Sequence, residues 1–496
     1  MPVTIAQAIF GIYLLGVLLV GIYASRFTEH TPADFYVADR TVGTVVLGLT
    51  LVATVLSAFT VFGIGATTVG TGLGAFSFLA IAAVFYTLVF ATVGVTLHEI
   101  GSRMGVVTPS EYVRERYESP LLGALYLAVT GVFMVAMIAG QLIGGGVALD
   151  ALLGIPYLQA VVLMAVFMLV YIHIAGYRGV VWSDAIQSAV LFGVLAGVVL
   201  YVLVVLDPMA VAEGAAAETP GLYEMVGPVG AWTPLFVITA ALAFTAGVPG
   251  YPHTIQRYFS AASGRTMRDS GFLFALVAIP VYFFGAVLGA WSLGVIPMPD
   301  NPDYVVPLLV DALMHPVVFG VAMAGATAAI MSTADSVALT MSSMASRDVY
   351  REFVDPDASQ RREVRVTQGL LVVVIAFALG LAWLRPAGIF DLIAFAVVGF
   401  GTTSAPVFLG AYWGRATRAG AAASLALGPG ITILFFLEYI PPAYTFGMHY
   451  GFVGVVIAYV IFVAVSLATS APGDEAVETH SRRFWRTEGD GGPTAD

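Results

Sequence analysis

Long apolar stretches recur along almost the whole chain, and they constrain its fold more than any other feature of the sequence. The 496 residues are 59% hydrophobic and only 10% charged, whereas a soluble protein carries roughly 25% charged residues. A helix needs about 20 apolar residues to cross the hydrocarbon core of a bilayer. The sequence therefore predicts an all-α membrane protein that crosses the lipid bilayer many times.

Apolar runs bounded by polar residues, glycine or proline predict thirteen transmembrane spans. The first run is not a signal peptide, because it lacks a basic leading region and is too long. Residues 1–470 are thus predicted to form a transmembrane domain, and the Gly-, Pro- and charge-rich tail at 471–496 is predicted to be disordered and cytoplasmic. The spans lie near 4–25, 43–70, 75–101, 120–149, 156–175, 180–206, 232–257, 270–297, 314–345, 364–384, 387–411, 418–438 and 448–470.

The distribution of arginine supports this number of spans, because positive residues are retained on the cytoplasmic side of a membrane. With the N-terminus outside, every one of the 20 basic residues except Arg385 falls in a cytoplasmic connection or in the tail. One missed or additional span would move every later loop to the opposite side of the membrane. The arginines would then no longer fall almost entirely on one side. We therefore expect a multi-pass protein of the plasma membrane with its N-terminus outside and its C-terminus in the cytoplasm.

Two of the spans are interrupted by clustered glycine and proline. The second span carries three hydroxyl residues within 53–60 followed by three glycines, and the seventh carries two glycines and two prolines within 245–253. Unwound backbone is tolerated at membrane depth only where it lines a cavity, and paired interrupted helices indicate an inverted-repeat transporter. Small-residue packing is the alternative for either span alone, and the pairing of the two favours the transporter.

The ninth span contains two adjacent hydroxyl side chains, Ser332 and Thr333, followed by the carboxylate of Asp335. Sodium is a hard cation that prefers oxygen ligands, which hydroxyls and the freed carbonyls of a broken helix supply. The hydroxyls could instead bond back to their own helix. Asp335 lies about eleven residues from the cytoplasmic exit, roughly 16 Å at helical rise, so its side chain is not expected to reach water, and an intramembrane carboxylate indicates a functional site.

Three other polar groups interrupt apolar spans. Asp184 lies near the cytoplasmic end of the sixth span, where it could attract a cation leaving the protein or pair with Arg178. Gln141 in the fourth span and the 402–404 hydroxyl run in the eleventh could hydrogen-bond a substrate or pack between helices.

Other classes of function find little support in the sequence. The histidines show no metal-binding spacing, the Gly-rich stretches do not follow strands or carry a phosphate-binding lysine, and no nucleophile pairs with a base. There are no cysteines, which excludes disulfides and thiolate metal sites. We therefore expect neither an enzyme nor a nucleic-acid partner.

The chain resembles the sodium/solute symporter family, which includes sodium/proline, sodium/pantothenate and sodium/glucose transporters. The most specific match is the run AIMSTADS at 329–336, followed by SRDVY at 346–350. The resemblance extends over about residues 4–470. Its supporting matches are DFYVADR at 34–40, TPSEYVRERY at 108–117, WSDAIQ at 182–187, Pro252 and His253 with Arg257, and Pro406 with Trp413.

This resemblance implies a five-plus-five inverted-repeat (APC/LeuT-like) core with two broken helices, its repeats at about 43–206 and 232–411. The remaining three spans are then peripheral. It also implies sodium as the coupling ion, bound by the backbone carbonyls of Ala53, Leu56 and Ala329 and by the hydroxyls of Ser332 and Thr333. Asp184 matches a family carboxylate on the inward ion path, and we assign Asp335 to the same path.

The implied activity is sodium-coupled symport of a small organic solute by alternating access. Some members of the family have an aspartate where this chain has Val55, which argues against the close sodium/proline type. Thr60 and Phe244 stand where sugar carriers use amides, so a carboxylate or an amino-acid-like solute is favoured. The predicted solute-binding residues are Ser57, Thr60, Gln141, Phe244, Gly247, Tyr251 and Thr403.

Three alternatives to this function stay open. One is a proton-coupled carrier on the same fold that uses Asp335 or Asp184. The others are a membrane sensor domain and a passive channel, which flux that never saturates would indicate.

Overall fold

The computed structural model describes residues 4–26 and 37–473, and all regular elements within these ranges are helices. An isolated bridge between Val42 and Ala261 is the one β-type contact recorded there. Most of the predicted disordered tail, from residue 474 onward, and the first three residues of the run at 34–40 lie outside the described residues. The predicted all-helical fold is confirmed for the part of the chain that is described.

Within the described residues, eleven helices are long and apolar enough to cross a membrane, and two bent pairs bring the number of candidate spans to 13. Each of them coincides with one of the thirteen spans predicted from the sequence. They are α1 (Ile5–Ser25), α2a (Thr44–Val55) and α2b (Phe59–Thr71), α3 (Gly74–Met104), α4 (Pro120–Leu153), α5 (Tyr157–Gly176), α6 (Gly179–Val205), α7a (Pro234–Gly250) and α7b (Pro252–Ser260), α8 (Gly264–Ser292), α9 (Pro316–Val354), α10 (Gln360–Leu384), α11 (Ile389–Tyr412), α12 (Arg418–Phe436) and α13 (Tyr450–Ala468).

Local sequence signals set the ends of these helices. Ser119 before α4 and Thr233 before α7a each accept a hydrogen bond from a first-turn N–H, and proline follows each of them. This combination satisfies orphan N–H groups and presets the helical φ angle. Between α5 and α6 the backbone turns at Gly176, whose φ of 58° and ψ of −173° interrupt the helix. Only glycine adopts that conformation without strain.

The helices differ in burial in a way that identifies the centre of the bundle. In the most apolar window of each helix, 83% of α9 and 89% of α11 is buried inside the protein, against 22% of α1. A helix that is apolar on all sides and also buried lies in the core of a membrane bundle. The polar residues that interrupt α9 and α11 therefore face other helices and not lipid.

A short helix between α3 and α4, Pro109–Arg116, explains why several distant sequence motifs occur together. Arg116 is fully buried, and its Nε donates to the carbonyl oxygen of Gly410 at 2.7 Å. The hydroxyls flanking the start of this helix, on Thr108 and Ser110, donate to the carboxylate of Asp348 in α9. The runs at 108–117 and 346–350 are thus two halves of one contact, and Arg116 joins them to the end of α11.

Arg385, the one arginine assigned to the outside, is held by specific contacts. Its Nη2 lies 2.8 Å from Oδ2 of Asp303, and its guanidinium packs over the ring of Tyr157 at 4.8 Å from the ring centroid. Burial raises the pKa of the Asp303 carboxyl, and the hydrogen bond from Arg385 opposes this effect. Because it is neutralised locally, this arginine does not contradict the orientation inferred from all the others.

Close glycine contacts allow α8 to pack directly on α2b. A Cβ atom added to Gly289 would lie 2.5 Å from both Cα and O of Gly65, so α8 has no room for a side chain there. Small residues at such crossings let transmembrane helices approach closely and gain van der Waals contact.

We predict that Gly289→Ala destabilises the folded protein by about 1–3 kcal/mol, because an added methyl group forces backbone apart at this crossing. The thermal unfolding midpoint in detergent measures the effect. Gly193→Ala in α6 is the matched control, since no atom lies within 4 Å of its added Cβ. Equal midpoints for the two variants would show that the α2b–α8 contact does not restrict side-chain size.

Candidate functional site

The second and seventh spans are both broken near the centre of the bundle. The axes of α2a and α2b differ by 57°, and those of α7a and α7b by 55°. Leu56 has extended backbone angles of φ −86° and ψ 121°, and Tyr251 has φ −71° and ψ 109°. Both spans are therefore interrupted, five spans apart, as predicted. The α7 break lies within its glycine and proline cluster, whereas the α2 break lies at residues 56–58, before the glycines of that span, which are helical in α2b.

The N–H groups at the start of α2b are satisfied by three side chains. The N–H of Ser57 donates to Oγ1 of Thr60 at 3.3 Å, and the N–H of Phe59 donates to Oγ of Ser57 at 3.2 Å. The N–H of Ala58 donates to Oε1 of Gln141 in α4 at 2.9 Å. Three residues predicted to bind solute, Ser57, Thr60 and Gln141, thus cap the break in this conformation.

The hydroxyl pair of α9 meets the carbonyls that this break releases. Oγ of Ser332 lies 2.9 Å from the carbonyl oxygen of Ala53 and 3.0 Å from that of Ala329. Oγ1 of Thr333 lies 3.1 Å from the Ala53 oxygen and 3.4 Å from the Leu56 oxygen. All five residues predicted to bind sodium therefore come together at one point between α2a and α9.

This oxygen set has the chemistry that a sodium ion requires. Three carbonyls and two hydroxyls supply five neutral oxygens from fully buried residues, and hard cations prefer such ligands. Both hydroxyl groups donate to the carbonyls in this structure. They can rotate their protons away and present lone pairs to a cation at the same position.

A buried ion pair lies close to the hydroxyl pair. Nη2 of Arg257 in α7b is 2.7 Å from Oδ2 of Asp184 in α6, and both side chains are fully buried. The same Asp184 oxygen accepts a hydrogen bond from Thr50 at 2.7 Å, and Arg257 also donates to Ser336 at 2.5 Å. The sequence left Arg178 open as the partner of Asp184, and the side chain of Arg178 lies outside the described residues.

Asp335 differs from Asp184 in having no such support. It is fully buried, and neither carboxylate oxygen has a hydrogen-bond partner among the described residues. An ionised carboxylate in that environment needs a nearby cation or a bound proton. Asp335 is therefore the carboxylate of this region whose two oxygens no described residue hydrogen-bonds.

A small cavity lies beside the breaks and has room for about one water molecule (≈ 20 Å³). Three of the predicted solute-binding residues line it, namely Ser57, Phe244 and Tyr251, whereas Thr60, Gln141, Gly247 and Thr403 do not. Sequence reasoning missed most of the lining residues, because apolar side chains carry no signal within an apolar span. The complete lining is Thr54, Val55, Ser57, Phe59, Leu79, Tyr86, Met137, Phe244, Tyr251, Tyr282, Thr333, Ile393 and Val397.

Two of the residues outside the cavity have structural roles here. The hydroxyl of Thr403 donates to the carbonyl of Phe400 in its own helix. A Cβ atom on Gly247 would lie 2.7 Å from the carbonyl oxygen of Val397 and 2.5 Å from the ring of Tyr251, so glycine is needed for close packing. Tyr86 and Tyr282 are the missed residues with a usable signal, since each carries a hydroxyl into an otherwise apolar helix.

An aromatic cluster closes the cavity towards the start of α11. The ring of Phe59 stacks on that of Phe390 with centroids 4.7 Å apart. Phe244 lies 6.1 Å from Phe59 and 5.0 Å from Phe78, which extends the cluster to α7a and α3. Four helices thus contribute one ring each, and two of these rings, Phe59 and Phe244, also line the cavity.

The profile of one known family, the sodium:solute symporter family, matches residues 35–428 of the chain. The chain belongs to this family. Among its relatives is the sodium/pantothenate symporter of Haemophilus influenzae, 28% identical over 89% of this chain and 94% of the relative. The sodium/proline symporter of the same organism is 26% identical over 95% of this chain and 96% of the relative.

Solved structures show the same fold at lower sequence identity. A sodium-coupled sialic acid symporter, in a substrate-bound outward-open state, superposes with a TM-score of 0.73 at 19% identity, covering 94% of this chain and 98% of the other. A closed-state transporter of the nucleobase-cation-symport-1 family gives a TM-score of 0.58 at 13% identity, covering 90% and 97%.

These likenesses confirm the predicted family and the predicted fold class. The chain is a multi-pass membrane protein and a sodium-coupled symporter of small organic solutes. The family and the relatives compared here are transporters.

We predict that Asp184→Asn lowers the stability of this symporter by about 3–5 kcal/mol, because it leaves the buried Arg257 guanidinium without its counter-charge. Thermal unfolding in detergent measures the loss. Asp269→Asn is the control, since Asp269 pairs with a half-exposed Arg268, and such surface pairs contribute about 0–1 kcal/mol. The double variant Asp184→Asn/Arg257→Gln should recover part of the loss, and no recovery would contradict the charge-pair explanation.

Proposed function

We propose that one sodium ion binds between α2a and α9, on the carbonyls of Ala53, Leu56 and Ala329 and the hydroxyls of Ser332 and Thr333. The observation that carries this proposal is the convergence of Ser332 and Thr333 on the Ala53 carbonyl, at 2.9 and 3.1 Å. Ser332 and Thr333 lie 279 and 280 positions after Ala53 in the chain. They meet it where the break in α2 exposes backbone carbonyls. Sodium is the coupling ion, and the small solute and the bilayer are the other partners.

The solute occupies the cavity beside the breaks and is bound in alternation from the two sides of the membrane. Thr333 belongs to both the proposed ion site and the cavity lining, so an ion that steadies the α2 break also shapes one wall of the solute site. Coupling requires sodium to favour the conformation that binds the solute, and the solute must then raise sodium affinity by the same factor. In this conformation the cavity has room for only about one water molecule. The rings of the aromatic cluster must therefore separate before a solute enters.

The proposed solute is a small carboxylate or amino-acid-like molecule with an apolar body. The cavity is lined mainly by apolar and aromatic side chains, and its polar side chains are all hydroxyls. Several of these hydroxyls are already engaged, including that of Thr54, which donates to the Thr50 carbonyl. A sugar would need many more hydrogen-bond partners, whereas one carboxylate could be held by the bound cation. The pantothenate and proline relatives carry such solutes.

Asp184 and Asp335 form the proposed ion path towards the cytoplasm. Asp184 is held by Arg257 and Thr50, so its carboxylate is fixed in place and is not a mobile ligand. Asp335, without a hydrogen-bond partner among the described residues, favours a second candidate function, a proton-coupled carrier on the same fold. The two functions differ in whether a pH gradient without sodium drives uptake in proteoliposomes.

We further propose the membrane arrangement that the arginine distribution favours. The protein lies in the plasma membrane with the N-terminus outside, the C-terminus inside, and its inverted repeats at about 43–206 and 232–411. The similar bends of the second and seventh spans, 57° and 55°, support equivalent positions for these spans in the two repeats.

We predict that a thermal-shift screen identifies the solute class. Purified protein is heated with amino acids, short carboxylates, pantothenate or sugars, in sodium chloride and in choline chloride. A true solute should stabilise the protein more in sodium, because a ligand that binds only the folded state raises the unfolding midpoint by mass action. Stabilisation by sugars alone would refute the proposed solute class, and equal stabilisation in both salts would refute sodium coupling.

Replacing Ser332 and Thr333 together by alanine should raise the half-saturating sodium concentration for uptake at least about ten-fold, because two ligands of a hard cation are lost. The measurement is uptake into proteoliposomes of the solute identified by the screen, over a sodium series. Ser342→Ala/Ser343→Ala is the matched control in the same helix, since both hydroxyls only bond back to carbonyls one turn earlier. Unchanged sodium dependence in the first variant would show that the ion binds elsewhere.

A further inference from the structure

The two helix breaks leave backbone groups that must find partners without water. In the hydrocarbon region each unsatisfied N–H or C=O costs several kcal/mol, so the partners of these groups are part of the mechanism. One helix, α4, supplies a side chain to each break. Gln141 accepts from the N–H of Ala58 in α2, and Tyr126 donates to the carbonyl of Gly250 in α7 at 3.3 Å.

Gln141 is the distant member of the set that caps α2b. Ser57 and Thr60 cap N–H groups of their own segment, so they move with it and fix its internal shape only. Gln141 lies 83 residues further along the chain and belongs to a different helix. Its amide therefore fixes where the break lies relative to the rest of the bundle.

The packing around Gln141 is arranged for this contact. One turn away in α4, a Cβ atom added to Gly144 would lie 2.5 Å from Cβ of Ala58. The glycine thus allows α4 to approach the break closely enough for the amide to reach it. Gln141 itself is fully buried, so no solvent competes for the Ala58 N–H.

We propose that Gln141 is a positioning residue for the sodium site. Its Oε1 atom fixes Ala58, two residues after Leu56, and thereby fixes the direction of the Leu56 carbonyl towards Thr333. Without the amide, the start of α2b must find another partner, and the carbonyl moves away from the ion. This inference rests on the proposed sodium site, and it assigns to Gln141 a role through α2 and not through direct contact with the solute.

The test measures equilibrium binding of radioactive sodium to purified full-length protein in detergent. Gln141→Met keeps the length of the side chain but removes the acceptor oxygen, and it should raise the half-saturating sodium concentration about ten-fold, the equivalent of one buried hydrogen bond. Gln141→Glu retains an acceptor oxygen at the same reach in the protonated, neutral form that a dry site favours, and at acidic pH it should bind sodium within about three-fold of the wild type at the same pH. If Gln141 were merely structural, Gln141→Met would lower the stability of the protein, and Gln141→Glu would not restore sodium affinity.

Two variants of the same helix serve as controls. Tyr126→Phe removes the hydrogen bond from α4 to the other break, which carries no proposed sodium ligand, and Thr130→Val removes a hydroxyl that bonds back to Tyr126. Both should bind sodium like the wild type, although Tyr126→Phe should unfold at a lower temperature. If Gln141→Met does not fold, near-normal sodium affinity in Gln141→Glu supports the acceptor role, and a ten-fold loss there overturns it.

The outcomes separate this inference from the proposed function. Absence of saturable sodium binding by the wild type refutes the sodium site itself. Wild-type binding with an unchanged Gln141→Met affinity refutes only the role of Gln141. An equal loss in Gln141→Met and Tyr126→Phe also refutes it, because general loosening of α4 would then explain both.

Discussion

The structure depends on one constraint, which is that backbone polar groups inside a bilayer must be satisfied by the protein itself. A helix that crosses the membrane meets this requirement automatically, and the break in α2 violates it. The carbonyls of Ala53 and Leu56 and the N–H of Ala58 are left without their usual helical partners. The protein supplies the hydroxyls of α9 to the carbonyls and the amide of Gln141 to the N–H. A cation can replace the hydroxyl protons at the carbonyl oxygens, but it cannot replace the acceptor of an N–H group. The carbonyl side of the break is therefore the candidate ion site.

The charged side chains near this site must also be neutralised inside the protein, because no water is available there. Asp184 and Arg257 neutralise each other at 2.7 Å within the bundle, so the pair adds no net charge to the proposed ion path. Asp335 adds a carboxylate that no described residue pairs. The proposed sodium ligands are all neutral oxygens, so no fixed carboxylate belongs to the proposed set. A transporter must release its ion on the other side of the membrane, and a neutral set holds a cation less tightly than a set with carboxylates at the same distances.

The sequence predicts the fold well for identifiable physical reasons, and the five residues proposed as ion ligands come together in the structure. Span number follows from the length of apolar runs and from arginine retention, and the candidate site follows from the adjacent hydroxyls of Ser332 and Thr333 together with the family resemblance. The cavity is predicted poorly, because a helix surrounded by apolar helices and lipid has no polar face to reveal which side is inward. Met137, Ile393 and Val397 therefore line the cavity without any signal. Long-range pairs such as Asp184 with Arg257 depend on how helices cross, which local pattern does not encode.

The position of Gln141 shows why a polar residue in a membrane helix needs more than one interpretation. An amide in α4 beside the breaks is reasonably predicted to touch the solute, and it lies one turn from Met137, which does line the cavity. Its oxygen is nevertheless occupied by the backbone of α2. In water such a bond would contribute little, because the N–H could exchange it for a solvent molecule. In a dry bundle the exchange is not available, so the residues that repair a broken helix also determine where its freed carbonyls point, and thus which ion they can hold.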